Sequence, residues 1–568
     1  MGRVSGVKNL PRNIPVNWES FTMRHVLLAT SVLVTTAMPS FAQLKGPVHL
    51  HVKADSATGD VRLLTTLGSY EFAITSKIQR ATQYFNQGLR LYWAFNHPGA
   101  VESFREAERL DPDCAMCAWG TALALGPNVN APMAPAAVEP ALEAVRRAQA
   151  ASSLASTQEQ ALIAALAARY AEKGERAALD TAYADAMERV AARYPDDAEV
   201  LSLFAESLMN LSPWNYWNSD GAPRPDTPVL MDRLRHAMDR NANHPGACHL
   251  FIHAVEAKDP ASAVPCAEKL AALMPGAGHL VHMPAHIYVR VGRYADAVAA
   301  NVHAVHADEA YLEGGAGRGR GIYGGGYYPH NYHFLAFAAS MSGASVTAID
   351  AARKTVRGLD HKLALETPWL EAVTPVVYQT LVNFGKWDAV LAEPLPAPEE
   401  RYATGFAYYA RGVAFAAKQR YAEARAALDS VTAIQARLPE GDNQTALAIA
   451  EFALAGEIAL RQGRASEAVR QFRAATALED GLFYAEPPTW YYPMRHSLGK
   501  ALLAANRPQE AEKVYRRDLA RFPNNGWSLF GLSESLRRQG KVTEARQIRK
   551  MYEESWSGAD VKLIASRY

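Results

Sequence analysis

A set of small and aromatic residues recurs along this chain at helix-pair spacing, and it constrains the fold more than any other feature of the sequence. It first appears as Gly88, Ala100, Phe104, Ala107 and Pro112. It returns as Gly412, Tyr421, Ala424 and Leu428, then as Gly456, Gly463, Ala468, Phe472 and Ala475. Gly499, Leu502, Ala511, Tyr515 and Pro523 form another copy, and a further one begins near Gly526-Trp527 with Gly540 and Ala545 in place. Small residues where two helices cross let the backbones close up, and a large ring fills the gap to the next hairpin. Self-similarity of this kind marks stacked units, each unable to bury its apolar face alone. Strand-like alternation is confined to a short stretch over residues 48–52. The expectation is an all-α array of antiparallel helix pairs, with residues 139–228 too degenerate for the repeats to be counted.

These spacings resemble the tetratricopeptide repeat, a unit of roughly 34 residues. The resemblance covers roughly residues 80–550. It implies a right-handed helical solenoid in which certain helix-A places line a concave groove. The chain then divides into a targeting region (1–42), a lead-in (43–80), N-terminal repeats (81–243), histidine-rich central repeats (244–360) and C-terminal repeats (361–568). A glycine-rich insertion at 312–328 interrupts the central part. Repeat proteins of this type are mostly binding scaffolds, and fold alone does not decide function.

The N-terminus reads as an export signal. Met23-Arg24-His25 gives a positive start, Val26 to Met38 is largely apolar, and Ser40-Phe41-Ala42 suits a signal peptidase cutting before Gln43. Translation is expected to begin at Met23 and to leave no stable transmembrane segment after cleavage. The destination is periplasmic in a Gram-negative host and secreted otherwise. Cys114, Cys117, Cys248 and Cys266 are the only cysteines. They suit two disulfides or buried thiols, with the pairing open. Cys114-x-x-Cys117 lacks the strand-helix setting of a redox motif. A net charge of +1 argues against a nucleic-acid partner, which would require a large basic face.

The chemistry concentrates between His244 and His333. His249, His253 and Glu256 fall at i, i+4 and i+7, and His279, His282 and His286 at i, i+3 and i+7. Each set shares one face of a helix, while His330 and His333 lie one turn apart. Repeat phase places His279, His282 and His286, and again His330 and His333, at groove-lining places of their units, as the resemblance implies. Convergent imidazoles on rigid helices suit a transition metal at low entropic cost. The expected ligands are His249, His253, His279, His282, His286, His330 and His333. Copper is favoured, with zinc as an alternative, or iron if Glu256 completes a two-histidine, one-carboxylate set. Helix-borne His-x3-His pairs hold dinuclear centres in type-3 copper proteins, an analogy of ligand type only.

His244, Asn301 and Asp308, with Glu309, are candidates to orient imidazole N–H groups. Glu256, Tyr288 and Arg290 are candidate catalytic residues; Arg290 suits an anionic substrate or an ion pair with Glu256 or Asp308. The insertion, with Tyr323, Tyr327 and Tyr328, reads either as a lid over the site or as a surface excursion. Pro487 to Tyr492 is expected to start a helix with an aromatic cluster that mainly packs, and Trp214, Tyr216 and Trp217 to sit in a loop ahead of the histidines. No His-Glu-x-x-His, Gly-x-Ser-x-Gly or phosphate-loop pattern is present. The leading functional expectation is an exported metalloprotein acting on a small molecule or peptide in the groove, with redox chemistry first and hydrolysis second. The alternatives are a non-enzymatic scaffold for a peptide or envelope protein, and a metal carrier.

Overall fold

Gly88 and Gly120 show why the recurring pattern works. A Cβ on either would stand 2.7 or 2.5 Å from the Phe104 ring, so only glycine lets the helices Gln79–Trp93 and Ala115–Leu125 clamp the ring of His97–Leu110. Tyr515 is held in the same way between Gly499 and Gly531. In the computed structural model, which describes residues 61–313 and 321–568, such hairpins succeed one another along the chain. Arg401–Ala417 pairs with Tyr421–Gln435, Asp442–Arg461 with Ala465–Gly481, Met494–Ala504 with Pro508–Arg521, and Gly526–Arg538 with Val542–Ser555. Among the described residues there are no strands beyond two isolated bridges, and no helix is long and apolar enough to cross a membrane. The protein is an all-α solenoid of antiparallel helix pairs. The export signal, the 48–52 stretch and residues 314–320 of the insertion lie outside the described residues.

The degenerate stretch keeps the pairing and changes what holds it. Thr157–Ala167, Arg176–Arg193 and Ala198–Met209 still stack in order. A buried polar cluster joins their apolar contacts: Arg169, fully buried, meets Asp180 at 2.9 Å and lies over the Tyr183 ring, while the Tyr92 hydroxyl donates to Glu206. A buried charge needs such a partner.

Two stretches outside the hairpins tie distant repeats together. Residues 61–78 run across several helices: Leu64 N–H donates to Gln87, Phe72 N–H to Asn86 and Thr75 N–H to Glu159, while Arg90 donates to the Tyr70 carbonyl. Near the other end, Asp560 accepts from the Ser345 and Val346 amides, and Arg567 donates to Asn383. Disulfides join Cys114 to Cys117 and Cys248 to Cys266.

Candidate metal centre

Glycine again decides how the histidine helices approach their neighbours. A Cβ on Gly246 would lie 2.3 Å from Trp93, and one on Gly278 2.0 Å from Asp308. Helix Pro245–Val255 therefore abuts the end of Gln79–Trp93, and Gly278–His282 lies tight on Tyr294–Leu312. Pro284 breaks the His279–His286 stretch, so His286 rides on a separate helix, Pro284–Arg290. His330 belongs to Tyr328–Ser342.

These elements bring six of the expected ligands into two groups. His249, His253 and His279 form one; His282, His286 and His330 form the other; within each, one ring nitrogen per residue lies within 4.8 Å of the other two. The groups adjoin, with His279 and His282 rings 5.9 Å apart and His253 and His286 rings 5.8 Å apart. Phe95 packs on all three rings of the first group, and Phe334 on all three of the second.

The outer hydrogen bonds fix the tautomers. His249 Nδ1–H donates to the Trp93 carbonyl at 2.7 Å, and His253 Nδ1 lies 3.2 Å from Glu256 Oε1. Burial works against a charged Glu256, yet His286 and His253 hold its carboxyl down at about 2, so it is an acceptor and His253 carries its proton on Nδ1. Both Nε2 lone pairs then face each other across 3.1 Å. His279 is buried with neither ring nitrogen hydrogen-bonded, and burial followed by the neighbouring imidazoles pushes it well below the usual histidine range. Two acceptor nitrogens thus face each other, beside a His279 ring to which no protein group is hydrogen-bonded, an arrangement that is costly for the polypeptide alone.

The second group differs by one feature. Asn301 donates from Nδ2 to the Ala297 carbonyl, so its Oδ1 accepts from His282 Nδ1–H at 2.7 Å. His282 Nε2 is therefore an acceptor, 2.8 Å from His286 Nε2. Burial opposes a charge on His286, but Glu256 and Glu486 raise it to about 9, so a proton can bridge this pair. Burial and the surrounding imidazoles push His330 well below its usual range. Such ordered outer partners are what metal-binding histidines require.

Several expected residues stand elsewhere. His333 is outside both groups: its ring lies 6.2 Å from that of His330 but stacks on Tyr491 at 6.1 Å, and it contributes no nitrogen to the converging ligand atoms. His244 caps its helix by accepting from Ala247 N–H and pairs with Glu199. Asp308 accepts from Tyr323 and Asn331, and burial raises it to about 7; Glu309 accepts from Tyr328 and Tyr332. Neither carboxylate reaches an imidazole of the groups through these bonds. Glu256 spans the groups from outside, one oxygen on His253 and the other 2.6 Å from His286 Nδ1. Arg290 faces the Glu256 and Ala257 carbonyls and Glu486, rather than the Glu256 or Asp308 carboxylates. Tyr288 directs its hydroxyl to the Ala267 carbonyl.

A cavity of about 100 Å³ opens onto both groups, lined by His253, His279, His286 and His330 with Trp214, Tyr327, Trp369 and Tyr484. The described part of the insertion is a wall of it: Tyr323–Tyr327 is a buried π-helical turn, neither a loose lid nor a surface excursion. The aromatic stretch begins its helix only at Met494, while Ala485 and Glu486 just before it reach the cavity. Glu486 went unpredicted, since nothing in the period marks a carboxylate in the loop ahead of Pro487.

Residues 496–560 match the family model described as "Tetratricopeptide repeat". No curated protein sequence matches the chain. Among solved structures, the human IFIT1 dimer with PPP-AAAA is similar at 12% identity and a TM-score of 0.32, covering 84% of this chain and 91% of that one. The yeast Tom70 is similar at 12% identity and a TM-score of 0.29, covering 84% and 93%. Likeness at this level carries no argument about ligand or superhelix geometry. The chain is a helical solenoid with tetratricopeptide-repeat sequence at residues 496–560.

Proposed function

We propose that the protein is an exported metalloprotein with a dinuclear centre, one ion held by His249, His253 and His279 and the other by His282, His286 and His330. The observation that carries this reading is the first group: buried lone pairs of His249 and His253 aimed at each other, beside a His279 without any hydrogen bond. A cation bound by three imidazoles removes that conflict, and none of the surrounding protein groups does. Metal–nitrogen bonds of about 2.0–2.1 Å fit ligand atoms gathered this closely. All-imidazole donor sets favour copper, with zinc and iron as the alternatives.

Two redox-active ions of this kind supply electron exchange with a bound molecule, and we assign the protein a redox activity on a small substrate. The chain's own residues provide the rest. Trp214, Trp369, Tyr327 and Tyr484 shape a cavity suited to a small, largely apolar molecule. Its volume is too small for a folded partner. Residues 61–78 already occupy Asn86, Gln87, Arg90 and Glu159, polar side chains that a peptide ligand of the N-terminal repeats would need. The two disulfides support an oxidising compartment, consistent with export.

Elemental analysis of the purified protein tests the reading. We expect two equivalents of imidazole-held transition metal per chain, one lost in His279→Ala and one in His282→Ala. A protein that stays metal-free after reconstitution with copper, zinc and iron would leave the scaffold reading in its place.

A further inference from the structure

Beside the second histidine group, three more ligand atoms converge. His286 Nδ1, Glu256 Oε2 and Glu486 Oε2 lie within 4.8 Å of one another, and Glu256 and His286 approach to 2.6 Å. The contacts of His286 with the two carboxylates are ion pairs without hydrogen-bond alignment. None of the three atoms has an aligned partner, although each is buried and Glu486 is only 4% exposed. Two buried carboxylates side by side repel, and the His286 ring held between them offsets that repulsion only while it stays protonated. Arg290 Nε forms an ion pair with the other Glu486 oxygen at 3.5 Å and directs its hydrogen bonds to the Glu256 and Ala257 carbonyls, so it reaches neither of the two converging carboxylate oxygens. Tyr484 donates to that same Glu486 oxygen, which leaves Oε2 aimed inward.

We propose that Glu256, His286 and Glu486 form a third cation site at the cavity wall, distinct in chemistry from the all-imidazole groups and suited to a harder divalent ion such as manganese, iron or zinc. Two oxygens and one nitrogen are the donor set that carboxylate-preferring first-row ions take, with the cavity side open for water or substrate. The site does not depend on either imidazole group being filled. His286 links it to its neighbour, because its Nε2 faces His282. An ion on Nδ1 places the ring proton on Nε2, where it donates to His282; an ion on each nitrogen leaves no ring proton, and one proton goes to solvent.

The test is a titration of the metal-free full-length protein with Mn2+, followed by the loss of the free-ion electron paramagnetic resonance signal. One ion per chain is expected to bind, and Glu486→Gln to weaken it at least tenfold. Tyr484→Phe, which leaves all three donors in place, retains the ion and guards against a general loss of fold. Copper content is measured on the same preparations. Glu486→Gln that binds Mn2+ as the wild type does, or a wild type that binds none, overturns the third site. Copper at two equivalents in that case leaves the dinuclear reading standing, and copper absent while Mn2+ binds does the reverse.

Discussion

His496 and His282 are both buried in helices of the solenoid, and they differ in what they face. His496, in the C-terminal repeats, meets the Asp518 carboxylate at 3.1 Å, and Asp518 also accepts from Ser528 and Asn525. His282 has its outer nitrogen on Asn301 and its inner nitrogen against His286. The first arrangement closes a local polar network and holds a repeat together. The second points histidine at histidine and leaves an opening for a cation. The number of histidines matters less than whether each has been given an acid of its own.

The comparison breaks most visibly in paired substitutions. His282→Ala should remove one metal equivalent per chain and cost the metal-free protein less than His496→Ala does, since the group it orphans, the Asn301 amide oxygen, is uncharged. His496→Ala should leave the metal content unchanged and destabilise the metal-free protein by about 3–5 kcal/mol, because Asp518 is left buried without its partner. Elemental analysis and denaturant melts of the two variants read both effects. The same loss of metal in both would erase the distinction.

Much of this contrast was legible in the sequence, for reasons that mark its limits. The spacing of Gly88, Phe104 and Ala107 announced the hairpins because steric fit leaves few alternatives to glycine there. The i, i+4 and i, i+3 spacings put His249 with His253, and His279 with His282, on common faces because helix geometry is fixed. The division into two groups was not legible, since it separates His279 from His282 on one short helix and depends on how close Gly246 and Gly278 allow neighbouring helices to come. Glu486 was hidden because it reaches the site from a loop some 200 residues further along the chain, with no period to locate it. His333 shows the converse: correct spacing, but a side chain turned onto Tyr491.

Smaller effects sharpen the comparison. Asn301→Leu removes the acceptor that fixes the His282 tautomer and should weaken metal binding at the second group by about 10–100-fold, without touching the first. Competitive chelation on each variant separates the two. Gly246→Ala forces a methyl group against Trp93, and Gly499→Ala one against Tyr515. Both overpack, at about 1–3 kcal/mol each, but only Gly246→Ala should also lower metal affinity, by shifting the helix that carries His249 and His253.

The pH dependence has a defined sign. Ligation requires unprotonated ring nitrogens, so metal is lost as pH falls. Burial, reinforced by the neighbouring imidazoles, lowers His249, His279 and His282 well below the ordinary histidine value. At the first group protons compete with the ion only at those lowered values, so its release should be centred below the ordinary imidazole pKa of about 6.5, whereas His286, raised to about 9, lets protons compete at the second group at higher pH. Dialysis across pH 4–7 with metal analysis reads this, and release of the first group's ion centred above that value would contradict it.

X-ray absorption at the edge of the bound metal tests the central claim most directly. The account predicts a first shell dominated by imidazole nitrogen at about 2.0–2.1 Å, with the outer-ring scattering of histidine and no sulfur. A shell of sulfur, or of oxygen without imidazole scattering, would place the ion elsewhere and contradict the assignment of the two histidine groups.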